Sequence, residues 1–102
     1  MADLVVLYKT PTDPAAFDKY YFESHVPLAK KIPGLRKYTV TKGPIVTPAG
    51  PSPLHLIATL SFDSMAAIGA AFASAEGKAT AADVPKFASG GVEMHFAETA
   101  EV

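Results

Sequence analysis

Four strand-like stretches and two helical ones, in the order strand, helix, strand, strand, helix, strand, predict an α+β chain: a ferredoxin-like βαββαβ unit with a four-stranded antiparallel sheet and both helices on one face. Three observations carry this prediction. Residues 3–9, 35–42, 54–62 and 92–98 are β-branched or alternate apolar with polar. The stretch 17–32 instead repeats its apolar residues at helical spacing, and turn-forming Pro and Gly clusters fall between the segments. The 102 residues read as one domain, 1–102, whose core is small enough that self-association would add stability.

Taken in order, Asp3–Lys9 contains Leu-Val-Val-Leu-Tyr, apolar on both parities, as expected of a strand covered on two faces. Asp13 is placed to cap the first helix, with Pro14 in its first turn. That helix is expected to run to about Lys31 and stop at Pro33-Gly34. At 100° per residue, Phe17, Tyr21, His25, Leu28 and Ile32 share one face, so His25 points inward. Pro27 has no N–H for the Glu23 carbonyl, which predicts a kink or restart just after His25 and a cavity beside it. The plainer alternative is a core histidine whose two nitrogens are satisfied by protein groups.

Leu35–Lys42 alternates as a strand, and the proline-rich Gly43–Pro53 reads as an exposed loop. In Leu54–Phe62, Leu54, Leu56, Ala58, Leu60 and Phe62 share one side, with His55, Ile57, Thr59 and Ser61 on the other. Asp63 or Ser64 can cap a second helix striped by Met65, Ile68 and Phe72. Ser74–Thr80, with Gly77, reads as a break, and Ala81–Phe87 as a further short helix. Ser89-Gly90-Gly91 turns into the last strand, Val92–Glu98. Two helices cover only one face of such a sheet, yet apolar residues occupy both, so a symmetric homodimer packed sheet to sheet is expected. His55 and His95 would lie toward that interface.

Composition narrows the functions. Hydrophobic residues are 49% and charged residues 19%, a globular balance. With a net charge of −1 and no basic run longer than Lys30-Lys31, no nucleic-acid partner is expected. The absence of cysteine removes disulfides, thiolate metal sites and a thiol nucleophile. No stretch reads as a signal peptide or a bilayer span, so the expectation is a cytoplasmic chain without a membrane partner. Three histidines without ligand spacing suggest no metal, and no glycine-rich phosphate loop suggests a nucleotide cofactor.

The chemistry concentrates on His25. Tyr21 lies one turn before it, and Tyr8 ends a strand near the helix start, so both phenols can approach the imidazole. A histidine with a phenol can remove a proton from an acidic C–H or O–H and hold the oxyanion formed. Phe17 and Leu28, on the same stripe, would contact a substrate. Arg36 is the candidate for a substrate carboxylate, though a solvent-facing arginine is the plainer reading.

The segment Phe-Asp-Lys-Tyr-Tyr-Phe-Glu-Ser-His-Val-Pro-Leu-Ala-Lys-Lys-Ile-Pro-Gly-Leu (17–35) resembles the signature of the EthD family, named for ethyl tert-butyl ether degradation. The likeness continues through Leu7-Tyr8-Lys9, Leu60–Ser64 and Asp83–Phe87. It implies a dimeric α/β-barrel fold, shared with isomerases, monooxygenases, cyclases and haem-degrading enzymes, with His25 at the family histidine and lining a cavity. Fold kinship does not choose among oxidoreductase, isomerase, cyclase and lyase chemistry, and nothing beside His25 selects for haem. The resulting expectation is a cofactor-independent enzyme acting on a small hydrophobic, aromatic or oxygenated molecule, with His25 as general base or acid. A non-catalytic dimer that binds and shields such a ligand is the competing expectation, and a purely structural dimerisation module is a third.

Overall fold

The computed structural model describes residues 1–102. The chain runs β1 (Ala2–Lys9), α1 (Pro14–Tyr20), a π-helical turn (Tyr21–His25), α2 (Val26–Ala29), β2 (Lys37–Val40), β3 (Val46–Thr47), β4 (Gly50–Pro51), β5 (Leu54–Phe62), α3 (Met65–Ala73), α4 (Ala75–Asp83), a 3-10 turn (Val84–Lys86) and β6 (Val92–Glu98). The main sheet is antiparallel in the order β2-β5-β1-β6, the ferredoxin-like arrangement. The molecule measures 35 × 34 × 18 Å, and the short dimension is one sheet plus one layer of helices. No helix is long and apolar enough to cross a membrane.

Period-two burial fixes which face meets the helices. Ala2, Leu4, Val6 and Tyr8 of β1 are buried, and opposite them lie Phe62, Leu60, Ala58 and Leu56 of β5. Val5, Leu7 and Ile57 on the other face are only half-buried, because nothing in the chain covers them. His95, opposite Val5, shares that open face. His55 does not. Tyr8 pairs with Leu56 and Lys9 with Leu54, so His55 is the extra residue of a β-bulge and is turned toward α1. Its Nε2 lies 2.7 Å from Asp18 Oδ1 and its ring 4.9 Å from that of Phe17.

The first helix begins as expected: Ala16 N–H donates to the Asp13 carboxylate at 3.1 Å, with Pro14 in the first turn. Directly after His25 an α-helical segment, α2, begins again at Val26, as expected, and the break before it is a widened turn. Over Tyr21–His25 the helix is wider than an α-helix, and Val26 N–H donates to the Tyr21 carbonyl five residues back. The wide turn changes the phase of the buried stripe to Phe17, Tyr21, His25 and Ala29, so Leu28 rotates to a half-exposed position and Ala29 takes its place. The helix ends at Ala29, two residues short of the expected limit.

The second half also departs from the pattern. Ser64 caps α3, whose buried residues are Ile68 and Ala71, while Met65 at its start stays exposed. The expected break at 74–80 is the start of α4. Ser74 caps it by accepting from Gly77 N–H at 3.0 Å, and Gly77 lets α4 press against the end of α3. The proline-rich loop holds a two-residue hairpin, β3–β4, and β2 is shorter than its alternating pattern.

Opposite signs are expected for two helical glycines. A Cβ at Gly77 would sit 2.1 Å from the Ala71 carbonyl oxygen, so Gly77→Ala lowers stability by about 1–3 kcal/mol. Nothing lies within 4 Å of a Cβ at Gly69, in the exposed middle of α3, so Gly69→Ala raises it by about 0.5–1 kcal/mol. Urea denaturation of the two variants checks both; equal effects would mean that α4 does not lie against α3 as described.

Candidate active site

Tyr21 and His25, at the two ends of the π-helical turn, reach the same space between sheet and helices. Tyr8 comes up from β1, and Tyr38 from β2, on the helix-facing parity. The ring centroids of Tyr8 and Tyr21 are 5.6 Å apart and those of Tyr21 and His25 5.3 Å. Phe87, just past the 3-10 turn, backs the imidazole at 4.7 Å.

His25 is 4% exposed, and its Nδ1 lies 2.9 Å from Oδ2 of Asp83, itself 6% exposed at the end of α4. The second carboxylate oxygen accepts from the Tyr20 hydroxyl at 2.6 Å, with the Lys86 ammonium 3.6 Å away. Burial alone would push the Asp83 carboxyl up, but the hydrogen bonds from Tyr20 and His25 outweigh it and hold the group below the usual carboxylate range. For His25 the balance runs the other way: burial lowers the imidazole below its ordinary value more than the aspartate raises it. The ring is therefore neutral at pH 7, with an Nδ1–H donating to an ionised Asp83. That leaves Nε2 as an unprotonated acceptor.

Nε2 has no partner within the chain, and no unpartnered side-chain nitrogen or oxygen is sealed away from solvent. It opens onto a cavity of about 250 Å³ lined by fifteen residues, thirteen of them hydrophobic. The Tyr8 hydroxyl is likewise without a partner and faces the same cavity. Tyr21 and Tyr38 share a 2.6 Å hydrogen bond, which uses one of their two hydroxyl hydrogens and leaves the other. Burial pushes all three phenols up, so they stay protonated donors. Met94, Phe96 and Ala81 line the cavity while remaining exposed, and they mark its mouth.

His25, Tyr21 and Tyr8 thus come together as the sequence suggests. Phe17 is buried one layer behind, stacked on Tyr21 at 5.6 Å, and does not line the cavity. Leu28 is outside it for the reason of helix phase given above. Arg36 is also outside, forming an exposed two-point pair with Asp63 at 3.1 and 2.8 Å. Asp83, Tyr20 and Tyr38 are not among the residues that the sequence pattern assigns to the site. A signal for Asp83 was present: Thr80, Asp83, Val84 and Phe87 follow helical spacing, and an aspartate on an otherwise apolar stripe is a group that must find a partner.

Comparison with known proteins bears on the family and the fold. The model of the EthD domain matches residues 9–91. An uncharacterized 11.0 kDa protein encoded in the thcB–thcC intergenic region of Rhodococcus erythropolis is 44% identical over 98 residues, covering 96% of this chain and 94% of its own. A crystal structure of an ethyl tert-butyl ether degradation (EthD) family protein from Bacillus halodurans superposes with a TM-score of 0.91 at 37% identity, over 98% of this chain and 99% of that one. SnoaB, a cofactor-independent oxygenase from Streptomyces nogalater, shares the fold with a TM-score of 0.67 at 14% identity, over 99% of this chain and 94% of its own.

The protonation pattern is measurable. In nitrogen-15 spectra of the three histidines, assigned with His55→Gln and His95→Gln, His25 is expected as the neutral Nδ1–H form at pH 7, taking its second proton only below the ordinary value of about 6.5. Between those two values the unfolded chain binds more protons than the folded one, so His25 contributes a loss of stability as pH falls below about 6.5. An Nε2–H form at neutral pH would refute the assignment.

Proposed function

The chain belongs to the EthD family, and we propose that it is a cofactor-independent acid–base enzyme that moves a proton on a small, mostly apolar, oxygen-bearing molecule, with His25 as the base. One observation carries this reading: Nδ1 is committed to Asp83 while Nε2 faces an apolar cavity. Asp83 holds the ring in the basic tautomer and stabilises the imidazolium formed when Nε2 takes a proton. Negative charge then develops on the substrate oxygen. The Tyr8 hydroxyl and the spare hydrogen of the Tyr21–Tyr38 pair are the donors available to it. Tautomerisation, cyclisation and decarboxylation each need such a proton transfer, and a protein of this fold is a cofactor-independent oxygenase.

The same reading includes a homodimer joined through the open sheet face. Val5, Leu7 and Ile57 form an uncovered apolar strip there, while the cavity lies on the opposite side and stays available in each protomer.

Two experiments follow. Hydrogen–deuterium exchange at the acidic carbon of 2-tetralone in heavy water, read by proton NMR, is expected to be accelerated by the protein. His25→Ala should cost about 100-fold or more. Asp83→Asn should cost a similar factor, because its amide would leave the proton on Nε2. Exchange that is unaffected by His25→Ala would defeat the assignment, and ligand binding without any exchange would favour a shielding role. For the assembly, light scattering should give a dimer mass for the natural chain and a monomer for Ile57→Glu, whereas a monomer at micromolar concentration in both would end the dimer proposal.

A further inference from the structure

The walls of the cavity carry chemistry that selects on charge. No lysine or arginine is among the fifteen lining residues. Arg36 is paired with Asp63 outside, and Lys86 stands beside Asp83 with its side chain two-thirds exposed. The full charge nearest the lining is the Asp83 carboxylate, bonded to the back of the His25 ring. A second anion brought in front of that ring would lose its hydration, meet no cation, and feel the aspartate's repulsion. The remaining polar atoms are the hydroxyls of Tyr8, Tyr21, Tyr38 and Thr80 and one imidazole nitrogen, with the Thr80 hydroxyl already donating to the Glu76 carbonyl at 2.8 Å. Size sets a second limit. An apolar cavity of roughly 150 Å³ holds a benzene ring, so about 250 Å³ suits one or two fused rings.

We infer that the substrate is an uncharged one- or two-ring ketone or phenol with its oxygen at one end, set between His25 and Tyr8, and that carboxylates of the same shape are excluded. The inference rests on the site proposed above but not on His25 acting as a base, because the selection belongs to the lining.

An isosteric pair tests it: 2-acetylnaphthalene, a neutral ketone, against 2-naphthoate, in which the methyl becomes an anionic oxygen. Both are titrated at pH 8 into the nitrogen-15 labelled protein, following backbone amide shifts around Thr80 and Ala81. The ketone is expected to bind at least about tenfold more tightly. Ala81→Phe, at the mouth and on the surface, should weaken it several-fold while the fold persists. Met94→Lys puts a cation at the rim, at an exposed strand position, and should shift the ratio of the two affinities several-fold toward naphthoate. Equal or tighter binding of naphthoate to the natural chain overturns the inference, as does failure of both molecules to bind or ketone binding that ignores Ala81→Phe. The two proposals separate cleanly. Charge preference without tetralone exchange leaves this inference standing and removes the base; exchange without charge preference does the reverse.

Discussion

The hydrogen bond between His25 and Asp83 is the constraint on which the rest of the site depends. It joins residues 58 apart in sequence, from the first helix and the end of α4, and both groups are buried. A buried carboxylate is costly unless its oxygens are occupied. Here Oδ2 faces His25 and Oδ1 accepts from Tyr20, with Lys86 alongside, so the charge is supported from three sides. Because each partner sits on a different turn, only one register of α4 against the first helix satisfies them all. The same contact that sets the helix register therefore sets the tautomer of the imidazole.

That register would be of little use without the wide turn at Tyr21–His25. In a regular helix with Phe17 and Tyr21 inward, Leu28 would share the inward face with His25 and fill the space beside its ring. Adding a residue to the turn brings Ala29 inward instead, and a methyl stands where an isobutyl group would have stood. Pro27 makes the wide turn less costly, since its missing N–H already denies the Glu23 carbonyl a helical partner. The cavity is thus partly a consequence of helix geometry, with Ala58 and Ala29 as small residues on its two walls.

Much of the fold was legible because alternation and helical spacing are set by burial, and burial is local in its pattern. The extents of β1 and β5, the Asp13 cap and the inward histidine all came from such patterns, whereas the strand face that meets the helices did not, because both faces carry apolar residues. What escaped were features decided by contacts between distant segments. Gly77 looks like a helix breaker in isolation, yet it is needed where α4 approaches the Ala71 carbonyl. His55 loses its expected parity to a bulge that depends on how β5 pairs with β1. Leu28 fails because a hydrogen bond spanning five residues cannot be read from a 100° wheel. Asp83 falls inside the short helix expected over Ala81–Phe87, but its partners, Tyr20 and His25, come from the distant first helix.

The choice of phenols over a cation beside His25 has a physical logic. A lysine or arginine in the lining would stabilise an oxyanion strongly, but it would hold carboxylates as readily and would depress the basicity of the nearby imidazole further. Burial has already lowered His25, and another positive neighbour would leave it a weaker base. Buried tyrosine hydroxyls avoid that conflict. Their high affinity for the proton keeps them donors throughout the range where His25 is unprotonated, and they carry no net charge when they donate to a substrate oxygen. Asp83 lies behind the ring and outside the lining, so under the proposed function it would support the imidazolium without offering a competing acceptor to the ligand. In the proposed reaction the positive charge is made on His25 only when the proton moves, so the site needs no fixed cation in its lining.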